Sequence, residues 1–393
     1  MKAIKDIYRI GYGPSSSHTI APQRAATFYK QQYPDSTEYT VTLCGSLALT
    51  GKGHRTDEIV KETLAPAQTQ VFFNYEDPEM RLLIKGKTEE KEYPEWSVIS
   101  LGGGSIRIDC FDSGDEKDVY PDDSFGAICK RLEEEKLILP QYLLKYEPHL
   151  YADLKLSLEN MIACVDRGLS ASGLLNKELN YYRSAADLYK QSEDDMSRCI
   201  AYAYAVGEEN AAGHKITTAP TLGSAGIVAA IAYYYLKDKK FPEEKVLEAM
   251  AVGGVFGDLI KQNATIAGSM GGCQAEVGTA CAMGAAMIAW IEGQSLDTVE
   301  RAAEIGIEHH LGLTCDPVKG YVIIPCIERN GIAVLRAFDA VKLARSLAAV
   351  HKHSLVSFDM VVDSMNYTGK KLAIELRETS LGGLALEFKD EKN

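Results

Sequence analysis

The stretch Ala275–Ile291, AEVGTACAMGAAMIAWI, decides how the larger part of this chain is read. It is small and apolar nearly throughout, long enough for a helix and shorter than the ~18 apolar residues that a membrane span needs. Such a segment reads as the central helix of a bundle, where small side chains let neighbouring axes approach closely. On either side of it, helix-length segments separated by Gly, Pro or Asn occupy 150–166, 180–206, 224–236, 243–262, 298–311, 331–351 and 357–376. Strand signals are scarce there, so residues 146–393 are expected to form an all-helical domain.

Residues 1–145 have a different texture. Tyr39–Leu43, Val71–Phe73, Arg81–Ile84 and Ser97–Leu101 cluster or alternate β-formers, while Ala21–Gln32 and Thr56–Thr63 look helical. Asp109–Asp123 is acidic, punctuated by Gly and Pro, and reads as a surface loop. The helical, charged stretch 126–146, broken or kinked at Pro140, would connect the two parts. The expected class is α+β: a small N-terminal α/β domain followed by a larger helical catalytic domain.

Composition narrows the function. Of 393 residues, 46% are apolar and 25% charged, which is ordinary globular usage. With 42 Lys and Arg against 55 Asp and Glu the net charge is −13, which argues against a nucleic-acid or anionic-membrane partner. The N-terminus has no apolar stretch of signal-peptide length, so a cytoplasmic protein is expected. Nine cysteines, an odd number in a long chain, make a disulfide framework improbable.

Three segments concentrate chemistry. In Gly13-Pro14-Ser15-Ser16-Ser17-His18-Thr19, hydroxyls and a histidine precede a helix, a setting suited to a carboxylate or phosphate. One capping residue alone needs neither three serines nor His18. A second loop, with Asn210, Thr218 and Thr221 in GEENAAG and TAPTLGSAG, is by itself ordinary pre-helix chemistry. Cys273, Cys315 and Cys326 each lie at a loop or helix terminus bounded by Gly or Pro, where thiols can converge. Cys164, Cys199 and Cys281 sit inside apolar helical runs and read as packing. None of these cysteines has the spacing of a zinc knuckle or ferredoxin run. His54, in a polar turn, reads equally as a site or a loop residue; His309, His310, His351 and His353 lie near helix ends.

Taken together, the chain resembles the iron–sulfur-dependent L-serine dehydratases, with the family's beta and alpha portions fused. GPSSSHT at 13–19, SLALTGKGHRTD at 46–57 and SLGGGSIRID at 100–109 resemble the beta portion. ENMIACVDRG at 159–168, GEENAAG at 207–213, TAPTLGSAGI at 218–227, GGCQAEVGTACAMGAA at 271–286, GLTCDPVKGYVIIPCIERN at 312–330 and ETSLGGLAL at 378–386 resemble the alpha portion. The resemblance implies an oxygen-sensitive enzyme of amino-acid degradation and gluconeogenesis that turns L-serine into pyruvate and ammonia. It implies a 4Fe–4S cluster on Cys273, Cys315 and Cys326, with one iron open to substrate. His18 is then the expected base or the base's partner, with His54 and Lys261 next. Ser15, Ser16, Ser17, Thr19, Asn210, Thr218 and Thr221 are the expected substrate contacts, and a homodimer is expected. Two other readings are a lyase acting on L-threonine or L-cysteine, and a non-catalytic serine-binding regulator. The chain departs from the family in three places. No cysteine follows Leu386, Lys319 stands where glycine is usual, and GLLNKELNYYRS at 173–184 replaces an LPGGL-type loop.

Overall fold

Alternation of buried and exposed residues along Arg81–Lys87 and Trp96–Gly102 gives each strand one covered face. They belong to a five-stranded sheet ordered Gln68–Asn74, Glu38–Cys44, Arg81–Lys87, Trp96–Gly102, Ser105–Ile108. The first pair is parallel, Val41 opposite Val71, with the helix Thr56–Leu64 as its crossover. The remaining pairs are antiparallel, with Val41 opposite Ile84 and Leu82 opposite Val98. Tyr39, Val41, Leu43, Ile84, Trp96 and Val98 share a core with Ala25, Ala26 and Tyr29 of the helix Ala21–Gln32 and with Val60. The structure, a computed structural model, describes residues 1–115, 117–351 and 354–389.

A second core fills the helical body. Thr279–Ile291 is its axis, and every residue from Thr279 to Ala289 is buried. Glu243–Asn263, Leu296–Glu308 and Cys326–Ala348 surround it. The close axis approach expected from small residues is visible at Gly253: a Cβ there would lie 2.7 Å from Met287 Cγ and 2.8 Å from the Met283 carbonyl. Overpacking of that kind costs about 1–3 kcal/mol. A sheet with its own covering helices beside this body is an α+β fold.

Both chain segments that flank the sheet unit pack into the helical core. Ile4, Ile7 and Tyr8 are buried there, as are Tyr120, Phe125 and Tyr142, and the Tyr8 hydroxyl donates to the Met250 carbonyl at 2.7 Å. Ile10–Tyr12 pairs antiparallel with Lys215–Thr217. A single cut at residue 145 therefore does not follow the two cores; the sheet unit is inserted between segments anchored to the helical body. That anchoring suspends the Gly13–Thr19 loop over the helices.

Two expected boundaries differ. The segment 180–206 is not one helix. Leu174–Asn176 and Tyr181–Tyr182 form a hairpin, and helices follow at Ala185–Gln191 and Asp195–Ala211. The Asp194 carboxylate accepts the Ser197 N–H at 2.7 Å, which caps and starts the last of these. The helix expected at 331–351 begins at Cys326, directly after Pro325. The stretch 126–146 is broken, as expected, into Phe125–Glu135 and Leu139–Tyr146, with Pro140 in the first turn of the second helix. His353 lies outside the described residues. No helix among those described is long and apolar enough to cross a membrane.

Candidate active site

Three remote segments deliver the three singled-out cysteines to one place. Cys273 immediately precedes the helical turn Gln274–Gly278 that feeds the central helix. Cys315 sits in an extended link bridged to Arg377, and Cys326 is the first residue of its helix. All three line one small pocket, together with Pro14, Ser15, His54, Gly223, Glu276, Val277, Pro317, Val322 and Glu378. No disulfide joins them. Cys164, Cys199 and Cys281 are buried in helices away from this pocket, as their apolar runs predict.

The electrostatics of the pocket follow from burial. Burial pushes the Cys273 thiol up to about 11. It pushes Cys315 and Cys326 well above the usual thiol range, and the neighbouring carboxyls and thiols add to that. Arg329 works the other way, its positive charge favouring the Cys273 thiolate. Its guanidinium is anchored by Nη1 to the Thr314 carbonyl at 2.6 Å and Nη2 to Asp316 Oδ1 at 3.1 Å. Glu276 and Glu378 are both raised, by burial first; Glu276 is eased by a bond from Thr221, while Glu378 is raised further by Glu276. Glu276 Oε2 lies 4.0 Å from Cys315 Sγ. Sequence reading passed over Glu276, Arg329 and Glu378. The available signal was a charged side chain beside a cysteine or glycine motif, in CQAE, CIER and ETSLGG.

Two histidines meet here, 4.5 Å apart between ring centroids. Both are fully buried, and burial lowers the pKa of each, that of His54 to about 3. They are held differently. His18 Nε2 is 2.9 Å from Ser46 Oγ, whose own hydrogen goes to the Glu378 carbonyl at 2.7 Å. Nε2 is therefore the donor, and the Nδ1 lone pair faces Ser15 Oγ at 3.4 Å and Glu378 Oε1 at 3.5 Å. His54 lines the pocket and neither of its ring nitrogens has a hydrogen-bond partner.

The Gly13–Thr19 loop spends most of its polar groups on itself. Ser15 N–H goes to Thr19 Oγ1 at 3.2 Å, His18 N–H to Ser15 Oγ at 3.2 Å, and the Thr19 and Ile20 N–H groups to the Ser15 carbonyl. Thr19 Oγ1 then donates to the His54 carbonyl at 2.8 Å. Ser15 is the loop hydroxyl on the pocket wall; Ser16 and Ser17 are buried outside the lining. Asn210 Nδ2 clamps the Pro14 carbonyl at 2.7 Å. Thr218 Oγ1 ties the Ile7 carbonyl and the Arg9 N–H, 2.7 and 2.8 Å away. Thr221 meets Ser224 Oγ at 3.0 Å. Of the expected substrate contacts, the structure brings Ser15 to the pocket; Ser16, Ser17, Thr19, Asn210, Thr218 and Thr221 lie outside its lining. Lys261 bonds Ser105 at 2.7 Å and is not in the lining either.

A family model described as serine dehydratase alpha chain matches residues 57–385, and one described as serine dehydratase beta chain matches residues 3–80. The chain belongs to the serine dehydratase family. Among curated relatives, the L-serine dehydratase of Haemophilus influenzae is 35% identical, with 99% of each chain covered. L-serine dehydratase 2 of Escherichia coli is 35% identical over the same shares, and the L-serine dehydratase of Helicobacter pylori is 33% identical over 98% of this chain and 99% of its own. The first alignment spans 455 positions, more than the 393 residues here, so that dehydratase carries internal stretches this chain lacks.

Two of the departures from the family pattern touch each other. Lys319 has φ of 53°, the left-handed region that favours glycine, and its Nζ donates to the Glu178 carbonyl at 3.2 Å. Glu178 lies in the altered 173–184 segment, so the unusual lysine and the unusual loop form one contact near the Cys315 link.

Proposed function

We propose that this chain is an L-serine dehydratase working with a 4Fe–4S cluster on Cys273, Cys315 and Cys326. The observation that carries the reading is the convergence of these thiols, from three remote segments, on one buried pocket that also holds an unpartnered imidazole. The donor set fits the group. The thiols are unpaired with one another, and Arg329 supplies a cation beside them. Gly268 keeps space clear: a Cβ there would lie 3.2 Å from Cys315 Sγ and 2.7 Å from Glu276 Oε2. Ligation requires thiolates, so loading would release the protons that burial now holds on the sulfurs.

When bound, such a cluster would supply a Lewis-acidic iron to take up charge from the departing hydroxyl. The protein's own part is proton handling and orientation. His54 is our base, in place of His18. It faces the pocket, is neutral at pH 7 and has no hydrogen bond to break before it accepts a proton. A bound substrate carboxylate brings negative charge that favours the protonated imidazole and raises its basicity. His54 takes the α-proton of serine and returns it to the departing β-hydroxyl, which leaves as water, and the aminoacrylate tautomerises to an imine that water splits into pyruvate and ammonia. Ser15 would hold the substrate carboxylate, with Asn210 fixing the Pro14 carbonyl behind it. His18 acts as a brace joining Ser46, Ser15 and the Glu378 strap.

The test is pyruvate formation by anaerobically purified protein offered L-serine, D-serine, L-threonine and L-cysteine. L-Serine should be preferred, over L-threonine by about 10–200-fold, the discrimination one added methyl group allows. Preference for threonine or cysteine would reassign the substrate. Inactivity toward all four, with iron bound, would favour a serine-binding regulator.

A further inference from the structure

Glu378 is held in the pocket at a cost and is only half used. Its backbone has φ of 57°, in the left-handed region, where a non-glycine residue is strained. A two-bond ladder enforces this: the Glu378 N–H donates to the Cys315 carbonyl at 2.7 Å, and the Cys315 N–H donates to the Leu376 carbonyl at 2.8 Å. The side chain is 6% exposed, with Oε1 facing His18 Nδ1 at 3.5 Å. The second oxygen, Oε2, is buried with no hydrogen-bond partner. One ligand atom each from Glu378, Glu276 and Cys315 all fall within 4.8 Å of one another.

A buried carboxyl with an oxygen free of hydrogen bonds, carried on a segment tied by its backbone to a cysteine, is placed to serve as a metal ligand. The geometry points to Glu378 Oε2 as the resting protein ligand of the iron that the three thiols leave without a thiolate. A carboxylate oxygen suits this position because it is a harder and more readily exchanged donor than a thiolate, so an incoming substrate oxygen can replace it. The ladder to Cys315 then ties the exchangeable ligand to a permanent one. This inference rests on the cluster reading of Cys273, Cys315 and Cys326.

The experiment separates the two claims. Anaerobic protein is first assayed for iron and acid-labile sulfide; absence of both sinks the cluster reading and this inference with it. Cluster-loaded protein is then reduced and examined, without substrate, by electron–nuclear double resonance in ¹⁷O-water. The parent should show no ¹⁷O coupling, because the Glu378 carboxylate occupies the iron, and Glu378→Gln should gain one as water enters. Strong ¹⁷O coupling in the parent overturns the assignment, and so does a coupling gained in Glu276→Gln but not in Glu378→Gln. If Glu378→Gln fails to load, the parent and Glu276→Gln spectra decide: silence in both supports Glu378, coupling in either refutes it.

Discussion

Replacing His54 and His18 in turn separates a base from a brace. His54→Gln removes a ring that makes no side-chain hydrogen bond, so the fold loses only van der Waals contact with His18 and its surroundings. The chemical step loses its proton acceptor. A positioned general base contributes ~10²–10⁴-fold, or about 3–5 kcal/mol of barrier. His18→Gln has the opposite profile. It breaks the contact with Ser46 Oγ and leaves the buried Ser15 hydroxyl without its ring neighbour, at about 1–3 kcal/mol for each group orphaned. The assay is anaerobic pyruvate release from L-serine, with iron content and urea midpoint measured on the same preparations. His54→Gln should keep iron and midpoint while kcat falls by ~10²-fold or more. His18→Gln should lower the midpoint and lose less rate. A His54→Gln enzyme within about tenfold of the parent, beside a folded, iron-loaded and inactive His18→Gln, would return the base to His18.

Two further outcomes follow from buried groups. Gly268→Ala sets a methyl against Glu276 Oε2 and Cys315 Sγ, so iron per chain should fall below the parent's with unchanged circular dichroism; full loading would show that the space beside Cys315 is not needed. Asp258, on the helix Glu243–Asn263, has its pKa raised by burial to about 6, opposed by Lys261 and the Lys2 N–H. A raised carboxyl costs stability when charged, so its penalty is absent below about pH 4, grows to pH 6 and is constant above. Asp258→Asn should therefore gain about 1.4 kcal/mol relative to the parent between pH 5 and pH 7.5 in urea unfolding, and a pH-independent difference would refute the burial argument.

What was legible in the sequence was local. Ala21–Gln32 matches its helix, and the four expected strands appear within longer ones, because covered faces impose a period of two or 3.6 on neighbouring residues. Ser105–Ile108, Ile10–Tyr12 and Lys215–Thr217 escaped, since short strands are created by distant partners and carry no period of their own. The three cysteines were legible from their Gly and Pro borders. His54 and His18 were ranked by the hydroxyls around them, but those hydroxyls turned out to bond within the loop, which engages His18 and leaves His54 open. Glu378 lies 52 positions after Cys326, and no spacing rule could set its carboxyl among the thiols. The strap to Cys315 does that, and it exists only in the folded chain.

The central claim, that Cys273, Cys315 and Cys326 hold an iron–sulfur cluster on which serine dehydration depends, is tested most directly by iron and sulfide analysis across a cysteine panel. Anaerobic protein should carry iron and sulfide in equal amounts and lose them, with all pyruvate formation, in each of Cys273→Ser, Cys315→Ser and Cys326→Ser. Cys164→Ser, Cys199→Ser and Cys281→Ser, which alter helices away from the pocket, should retain both. Parent protein that converts L-serine to pyruvate with neither iron nor sulfide bound, or full cluster content in any of the first three variants, would contradict it.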